Sequence, residues 1–402
     1  MLFILIDAFS QVYFSNKYTP FLCSLAGNGI SSTLDPLFVF RGIETTIFTG
    51  VSPRVHDVWT EFKLAKSIKN SKKDRLLQHI IRSLEVLPTD GLRAKSRYFV
   101  ERYLFKKFYK TLNLIPSTAM PYFETSQSKE TVEKGAVGNV ATLFDVFRGM
   151  GVQYVLIEPW VWGDKGVLNK AKKMINRNCR YDFWYLKFSH LDHLGHKFGP
   201  RPSRFKDQLT KIDRYVEQVV TLLKEKRLRL KVLVLADHGM SQVHEPVNIL
   251  GDLHQLRSQL YEDYVVFADS TMLRFWFFTE KALCEVSDFL QEIKCGHTLS
   301  TREKRLLKIP LDPKYGEIIY VVDEGYLIHP SFFHSRSEVK GMHGYAYPKT
   351  PEASPILIMN DEMVVTFPTT KKVEYIDIPH LVLRSLFPNM KHVSSGLSSY
   401  LD

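Results

Sequence analysis

Lys231-Val232-Leu233-Val234-Leu235-Ala236-Asp237-His238-Gly239-Met240 is the stretch that decides the fold. Four apolar residues without polar alternation describe a strand covered on both faces, as in a parallel sheet flanked by helices. The run ends on an acid and an imidazole. The same pattern recurs at Leu2–Ile6 before Asp7 and at Phe183–Phe188 before Ser189, and Gln153–Ile157 supplies a fourth strand. Helical stretches lie between them. In Arg204–Glu225 the residues Leu209, Ile212, Tyr215, Val219 and Leu222–Leu223 recur at a period near 3.6. Strands alternating with helices predict an α/β fold with a doubly wound, mostly parallel sheet and right-handed crossovers. Ligand groups collect beyond the carboxyl ends of such strands. Asp7, Asp192 and Asp237 all lie there.

The chain has 402 residues, 45% hydrophobic and 24% charged, values that exclude a disordered protein. We expect one α/β domain over 1–402 carrying two insertions. Residues 62–135 have helical composition, end in the loop-like Leu114–Ser128, and read as a basic cap. Residues 255–335 read as a small α+β subdomain, with strands at Val265–Ala268, Met272–Phe278 and Glu317–Val322 and a helix near Glu280–Ile293. The chain then returns to the sheet at Pro355–Met359.

Of the net charge of +11, nearly all comes from residues 62–110, which hold 14 Lys/Arg and 4 Asp/Glu. A basic block of this density predicts an anionic partner: a phosphorylated small molecule or phosphate ester, an acidic lipid surface, or an acidic polymer. Its interleaved aromatics (Tyr98, Phe99, Tyr103, Phe105, Phe108, Tyr109) describe a packed helix with a basic outer face. The four cysteines, Cys23, Cys179, Cys284 and Cys295, are scattered and form neither a disulfide framework nor a thiolate zinc site. The N-terminus has no basic region before its apolar run, so it reads as a strand. No stretch approaches the ~20 apolar residues of a membrane span. A cytoplasmic protein is expected.

Asp192-His-Leu-Gly-His196 places a carboxylate and an imidazole four residues apart, on one face of a helical turn. Asp237 and His238 are adjacent, and His343 lies between glycine-flanked residues in Lys340-Gly-Met-His-Gly-Tyr345. Mixed carboxylate and imidazole donors suit zinc first, with manganese or iron as alternatives, over calcium.

In order along the chain, five segments resemble the motifs of type I phosphodiesterase/nucleotide pyrophosphatase proteins, in the alkaline phosphatase superfamily. They are Leu5-Ile-Asp7, Ile47-Phe-Thr-Gly-Val-Ser-Pro-Arg-Val-His56, Leu191-Asp-His-Leu-Gly-His196-Lys-Phe-Gly-Pro200, Ala236-Asp-His-Gly-Met240 and Gly341-Met-His-Gly-Tyr345. The resemblance implies an alkaline phosphatase-like fold and two divalent metal ions. Asp192, His196 and His343 would hold one ion, and Asp7, Asp237 and His238 the other. Such a pair clamps a phosphoryl group and stabilises in-line displacement.

Two positions depart from the family pattern. Its Thr or Ser nucleophile, ten residues before the Gly of the T-G pair, falls on Phe40, which cannot attack phosphorus. The phosphate-binding Asn, five residues after the motif His, falls on Glu61. Three outcomes follow. A shifted loop makes Thr45 or Thr46 the nucleophile; a metal-activated water attacks, with Glu61 as general base; or the chain keeps its metals as an anion-binding module with weak catalysis. Arg41 is the candidate bidentate hydrogen-bond donor to a phosphate or carboxylate. His244 and His334 lie near motif segments without ligand spacing. The resemblance implies a hydrolase of a phosphodiester, pyrophosphate or phosphomonoester, with a transferase or mutase as the alternative.

Overall fold

The computed structural model describes residues 1–388 except 28, 41, 106–111, 139, 160–162, 178–179, 227–228 and 365–371. Its centre is a six-stranded sheet in the order Ile30–Thr33, Ile356–Met359, Val232–Leu235, Leu2–Ile6, Phe183–Phe188, Tyr154–Ile157. The last four are parallel neighbours, and Ile356–Met359 runs antiparallel to both strands it touches.

Side-chain alternation explains why these strands are apolar throughout. Leu2, Ile4, Ile6, Trp184, Leu186, Val232 and Val234 bury into one cluster with the helices Gly163–Arg177 and Ser203–Lys226. Phe3, Leu5, Phe183, Tyr185, Leu233 and Leu235 bury into the opposite one, with Gly42–Thr49, Leu143–Met150 and Ile378–Leu386. Both faces are covered, so neither parity along the strand is free to be polar. This is the expected doubly wound arrangement.

A second sheet is wholly antiparallel, in the order Tyr264–Ala268, Met272–Phe277, Ile318–Val322, Gly296–Thr298. Helix Glu280–Glu292 lies between its second and third strands in order along the chain, ahead of the short Gly296–Thr298. The basic segment contains helices Lys72–Leu84 and Asp90–Phe99, the second running into a π turn at Val100–Leu104. Within the stretch read as loop, Phe123–Thr125 is a strand paired antiparallel with Phe62–Leu64. Three residues are too few for a period-two pattern to show in the sequence.

The basic segment and the second sheet share one core. Leu77, Ile81 and Phe123 bury against Phe267, Trp276 and Phe332. The Phe62 and Phe123 rings lie 5.5 and 5.0 Å from Phe267.

Candidate metal centre

Asp7 follows the first strand, where its backbone N–H donates to Phe188 O at 2.9 Å. Asp192 and His196 sit one turn apart on helix His190–Phe198. Asp164 holds the start of that helix, accepting from the amides of Ser189 at 3.0 Å and His190 at 3.3 Å. Asp237 and His238 follow the Val232–Leu235 strand. The Tyr375 hydroxyl fixes that turn by donating to the carbonyls of Ala236 and Asp237 at 2.9 and 2.6 Å.

His343 is brought in from far along the chain. Gly341–Met342 pairs antiparallel with Ser241–Gln242, just after Asp237-His238. Glycine makes the approach possible: a Cβ on Gly341 would strike the Gly195 carbonyl, and one on Gly195 would meet Met240 Cε at 2.7 Å. Gly341 therefore lets the His343 loop lie against the helix, and Gly195 lets Met240 pack against the same helix.

The six residues form two groups, Asp192/His196/His343 and Asp7/Asp237/His238, each with ligand atoms within 4.8 Å of one another. In the first, Asp192 Oδ1 lies 3.3 Å from His196 Nε2 and 3.6 Å from His343 Nε2. In the second, His238 Nε2 lies 3.2 Å from Asp7 Oδ1 and 3.9 Å from Asp237 Oδ2. The groups adjoin, because the His238 and His343 rings stack at 3.6 Å between centroids.

Cations fit this arrangement on two observations. Asp7 Oδ1 and Asp192 Oδ1 are buried without a hydrogen-bond partner, a position that carboxylate oxygens hold when a cation completes them. His196 Nδ1 and His238 Nδ1 lie 2.9 and 2.8 Å from the carbonyls of Gly341 and Gly239. A proton on each Nδ1 leaves each Nε2 lone pair facing the carboxylates, the usual support of a metal-ligating histidine. The electrostatics agree. Burial, reinforced by the Asp7 charge, pushes the Asp237 carboxyl up to about 7. Against burial, which alone would lower it, Asp237 and Asp7 push His238 up to about 10. The pocket draws positive charge.

Sequence reasoning passed over Lys187 and Glu44. The Lys187 ammonium donates to Glu44 Oε1 and lies 3.9 Å from Asp7 Oδ2. Its proton is held well above the ordinary lysine range: burial opposes this, and Glu44 and Asp7 outweigh it. A lysine inside the apolar run Phe-Trp-Tyr-Leu-Lys-Phe was the available signal. His334, set aside for lack of spacing, has its ring 5.9 Å from that of His196.

The proposed nucleophile positions have other occupations. Phe40 is half-buried, with its ring against Gly344, where a Cβ would meet Phe40 Cε1 at 3.0 Å. Thr45 is wholly buried, with Oγ1 3.4 Å from Thr131 Oγ1. Thr46 is equally buried. Its hydroxyl donates to Gly42 O at 2.8 Å and lies 3.0 Å from His56 Nε2. Because His56 Nδ1 accepts from Val58 N–H at 3.1 Å, the ring proton is on Nε2 and is donated to Thr46. His56 thus ties the short helix Pro53–His56 to the helix starting at Gly42. Glu61 is buried beside the Phe62–Leu64 strand. Arg41 lies outside the described residues, as do Cys179, Lys106, Lys107 and Lys110.

The buried His56 ring gives a pH prediction. Burial lowers its pKa from 6.5 to about 3, so the folded state binds fewer protons there than the unfolded chain. The stability it contributes is full above pH 6.5 and is lost as pH falls towards 3. The urea midpoint should therefore fall more steeply below pH 6.5 in the parent than in His56→Asn. Equal pH slopes would remove His56 from the account.

Comparison with known proteins agrees with this geometry. The description "Type I phosphodiesterase / nucleotide pyrophosphatase" belongs to the family profile that matches residues 1–346. Ectonucleotide pyrophosphatase/phosphodiesterase family member 7 of Mus musculus is 30% identical over 80 residues, 19% of this chain and 18% of that protein. GPI ethanolamine phosphate transferase 3 of Schizosaccharomyces pombe is 31% identical over 78 residues, 19% of this chain and 8% of that protein. The chain's match thus spans under a fifth of either relative. Murine ectonucleotide pyrophosphatase/phosphodiesterase 5 superposes with a TM-score of 0.62 at 15% identity, covering 96% of this chain and 94% of that one. An inactive variant of the same murine protein, with threonine replaced by alanine and AMP bound, superposes with a TM-score of 0.63 at 15% identity and the same coverages. With the family profile running from the first strand through the His343 loop, and so across all six clustered residues, the chain belongs to the type I phosphodiesterase / nucleotide pyrophosphatase family.

Proposed function

We propose that the chain hydrolyses a phosphodiester or pyrophosphate, with phosphomonoesters as the third class, using two divalent cations, zinc first. Asp192, His196 and His343 would hold one ion, and Asp7, Asp237 and His238 the other. The observation that carries this is the pair of adjoining ligand groups around the unpartnered Asp7 Oδ1 and Asp192 Oδ1. Bound there, the cations would polarise the phosphoryl group and neutralise its charge.

The chain's own residues supply the rest. Lys187, anchored by Glu44, orients the Asp7 carboxylate, and the carbonyls of Gly341 and Gly239 orient the imidazoles. Phe40 covers the backbone next to His343 and offers no hydroxyl. The hydroxyls of Thr45 and Thr46 lie buried against other partners. We therefore assign the attack to water, with Glu61 accepting its proton and Arg41 binding a phosphate oxygen. Residues 62–135 and 255–335 would shape the pocket, in a cytoplasmic enzyme. The AMP held by the murine relative supports a phosphate ester as ligand.

The test is stereochemical. Hydrolysis of a phosphodiester made chiral at phosphorus should give inversion, since one displacement inverts and two retain. Retention would return a side-chain nucleophile, and transfer of the phosphoryl group to an added alcohol would favour the transferase reading that the fission-yeast relative suggests. No bound metal after purification and zinc loading would remove the proposal altogether. A fully metallated protein that binds phosphate tightly but turns nothing over would make it a binding module.

A further inference from the structure

Residues 62–110 carry most of the chain's net charge, and the structure shows where their four acids go. Asp74 caps helix Lys72–Leu84, accepting from Ser71 N–H and Oγ at 3.2 and 2.6 Å. Glu85 accepts from Ser117 N–H at 2.7 Å. Asp90 is buried and accepts the amides of Ser335, Arg336 and Ser337 at 2.8, 2.8 and 2.9 Å. Glu101 is fully buried against Arg97 Nε at 3.2 Å. Every carboxylate of the segment is engaged locally or inward. Lys72, Arg75, Arg82 and Lys95 point out.

The same segment also exposes apolar side chains. Among the described residues, seven of the sixteen large hydrophobic side chains that lie exposed fall between 68 and 104. Leu92, Lys95 and Phe99 share one face of their helix, and Leu92 and Phe99 are 51% and 58% exposed. The Phe99 ring pairs with Tyr103 at 5.1 Å, where Tyr103 is 63% and Leu104 60% exposed. On the neighbouring helix, Lys72, Arg75, Leu76, His79 and Arg82 occupy the outward face, while Leu77 and Ile81 bury. A nucleic acid or free phosphate would be met by the cations alone and leaves the exposed Leu, Phe and Tyr without a role. A layer of anionic headgroups over hydrocarbon meets both.

We propose that this face docks the protein on an anionic lipid surface, with Leu92, Phe99, Tyr103 and Leu104 entering the headgroup boundary and Lys72, Arg75, Arg82 and Lys95 pairing with lipid phosphates. No helix among the described residues is long and apolar enough to cross a membrane; the contact proposed is one made by this face at the headgroup boundary. Asp90 joins this face to the loop that carries His334 and leads to His343. Docking would therefore hold the candidate metal centre near the lipid surface, where amphiphilic phosphate esters lie.

The test is flotation of the purified full chain with vesicles of phosphatidylcholine alone or mixed in equal parts with phosphatidylglycerol. Binding is expected only to the mixed vesicles, and weaker at high salt. Arg75→Glu/Arg82→Glu/Lys95→Glu should reduce the partition roughly a hundredfold or more. Phe99→Ser/Tyr103→Ser should reduce it about tenfold or more at fixed charge. Unchanged melting midpoints and near-ultraviolet circular dichroism establish that these surface variants fold. The docking is independent of hydrolysis, so Asp192→Asn should float as the parent does. Four results would overturn it: no flotation; equal binding to neutral vesicles; flotation untouched by the Phe99/Tyr103 pair, which marks a polyanion site; or a dimer in sedimentation that the same pair dissolves, which marks a self-interface.

Discussion

Asp192→Asn should lower turnover by at least roughly 10²-fold, the scale seen when one electrostatic stabiliser of a developing anion is removed. One equivalent of bound metal should be lost with it. Asp192 is the carboxylate shared by its group, its Oδ1 lying 3.3 Å from His196 Nε2 and 3.6 Å from His343 Nε2. Burial alone would raise its carboxyl pKa, but the facing imidazoles of His196 and His343 hold it far below the usual range. An amide keeps the shape and removes the charge, so a cation held by this group would lose its anionic ligand and keep only the two imidazoles. The second group has its own carboxylates in Asp7 and Asp237 and should keep its ion. Metal content by mass spectrometry and turnover of a bis-aryl phosphodiester measure the two effects separately. Two equivalents of metal with undiminished turnover would mean that Asp192 is no ligand.

Asp269→Ala should cost about 3–5 kcal/mol of stability, because it leaves a buried guanidinium without its counter-ion. Arg274 is fully buried and donates from Nε to Asp269 Oδ2 at 3.0 Å. Its Nη1 donates to Thr60 Oγ1 at 3.1 Å and Phe62 O at 2.8 Å, tying the second sheet to the start of the basic segment. Burial pushes the Asp269 carboxyl up to about 6 and lowers Arg274, so for each partner desolvation outweighs the attraction. A pair in that balance contributes little net stability, yet breaking it leaves one partner charged and unpaired. The double change Asp269→Leu/Arg274→Met should therefore recover most of the loss seen with Asp269→Ala. Urea midpoints of the single and double variants decide the matter. A double variant as unstable as the single would show that shape at this junction, and not charge, sets the cost.

The parts of the centre that were legible in the sequence are those that depend on local geometry. A strand covered on both faces leaves a continuous apolar run, so Asp7 and Asp237 stood out where the runs stop. Helical spacing put Asp192 and His196 on one face, and the helix His190–Phe198 holds them there. For Thr45 and Thr46, a motif position does not say which way a helix faces. Their helix turns both inward, towards Thr131, His56 and its own Gly42 carbonyl. Lys187 and Glu44 lie 143 residues apart, and no local pattern pairs them.

The sequence by itself determined the α/β class, the strands of the parallel sheet and which of their ends carry ligand-type side chains. Backbone periodicity and two-sided burial act over a few residues and leave their mark in composition. The tertiary structure alone decided that His343 stacks on His238, through the pairing of Gly341–Met342 with Ser241–Gln242. It alone merged the basic segment and the antiparallel sheet, read separately as two insertions, into one core around Phe267. Each of those faces is only half a core, and an apolar face carries no record of which distant face covers it. Shape, close glycine contacts and the burial of paired charges select that partner, and they exist only once both surfaces have formed.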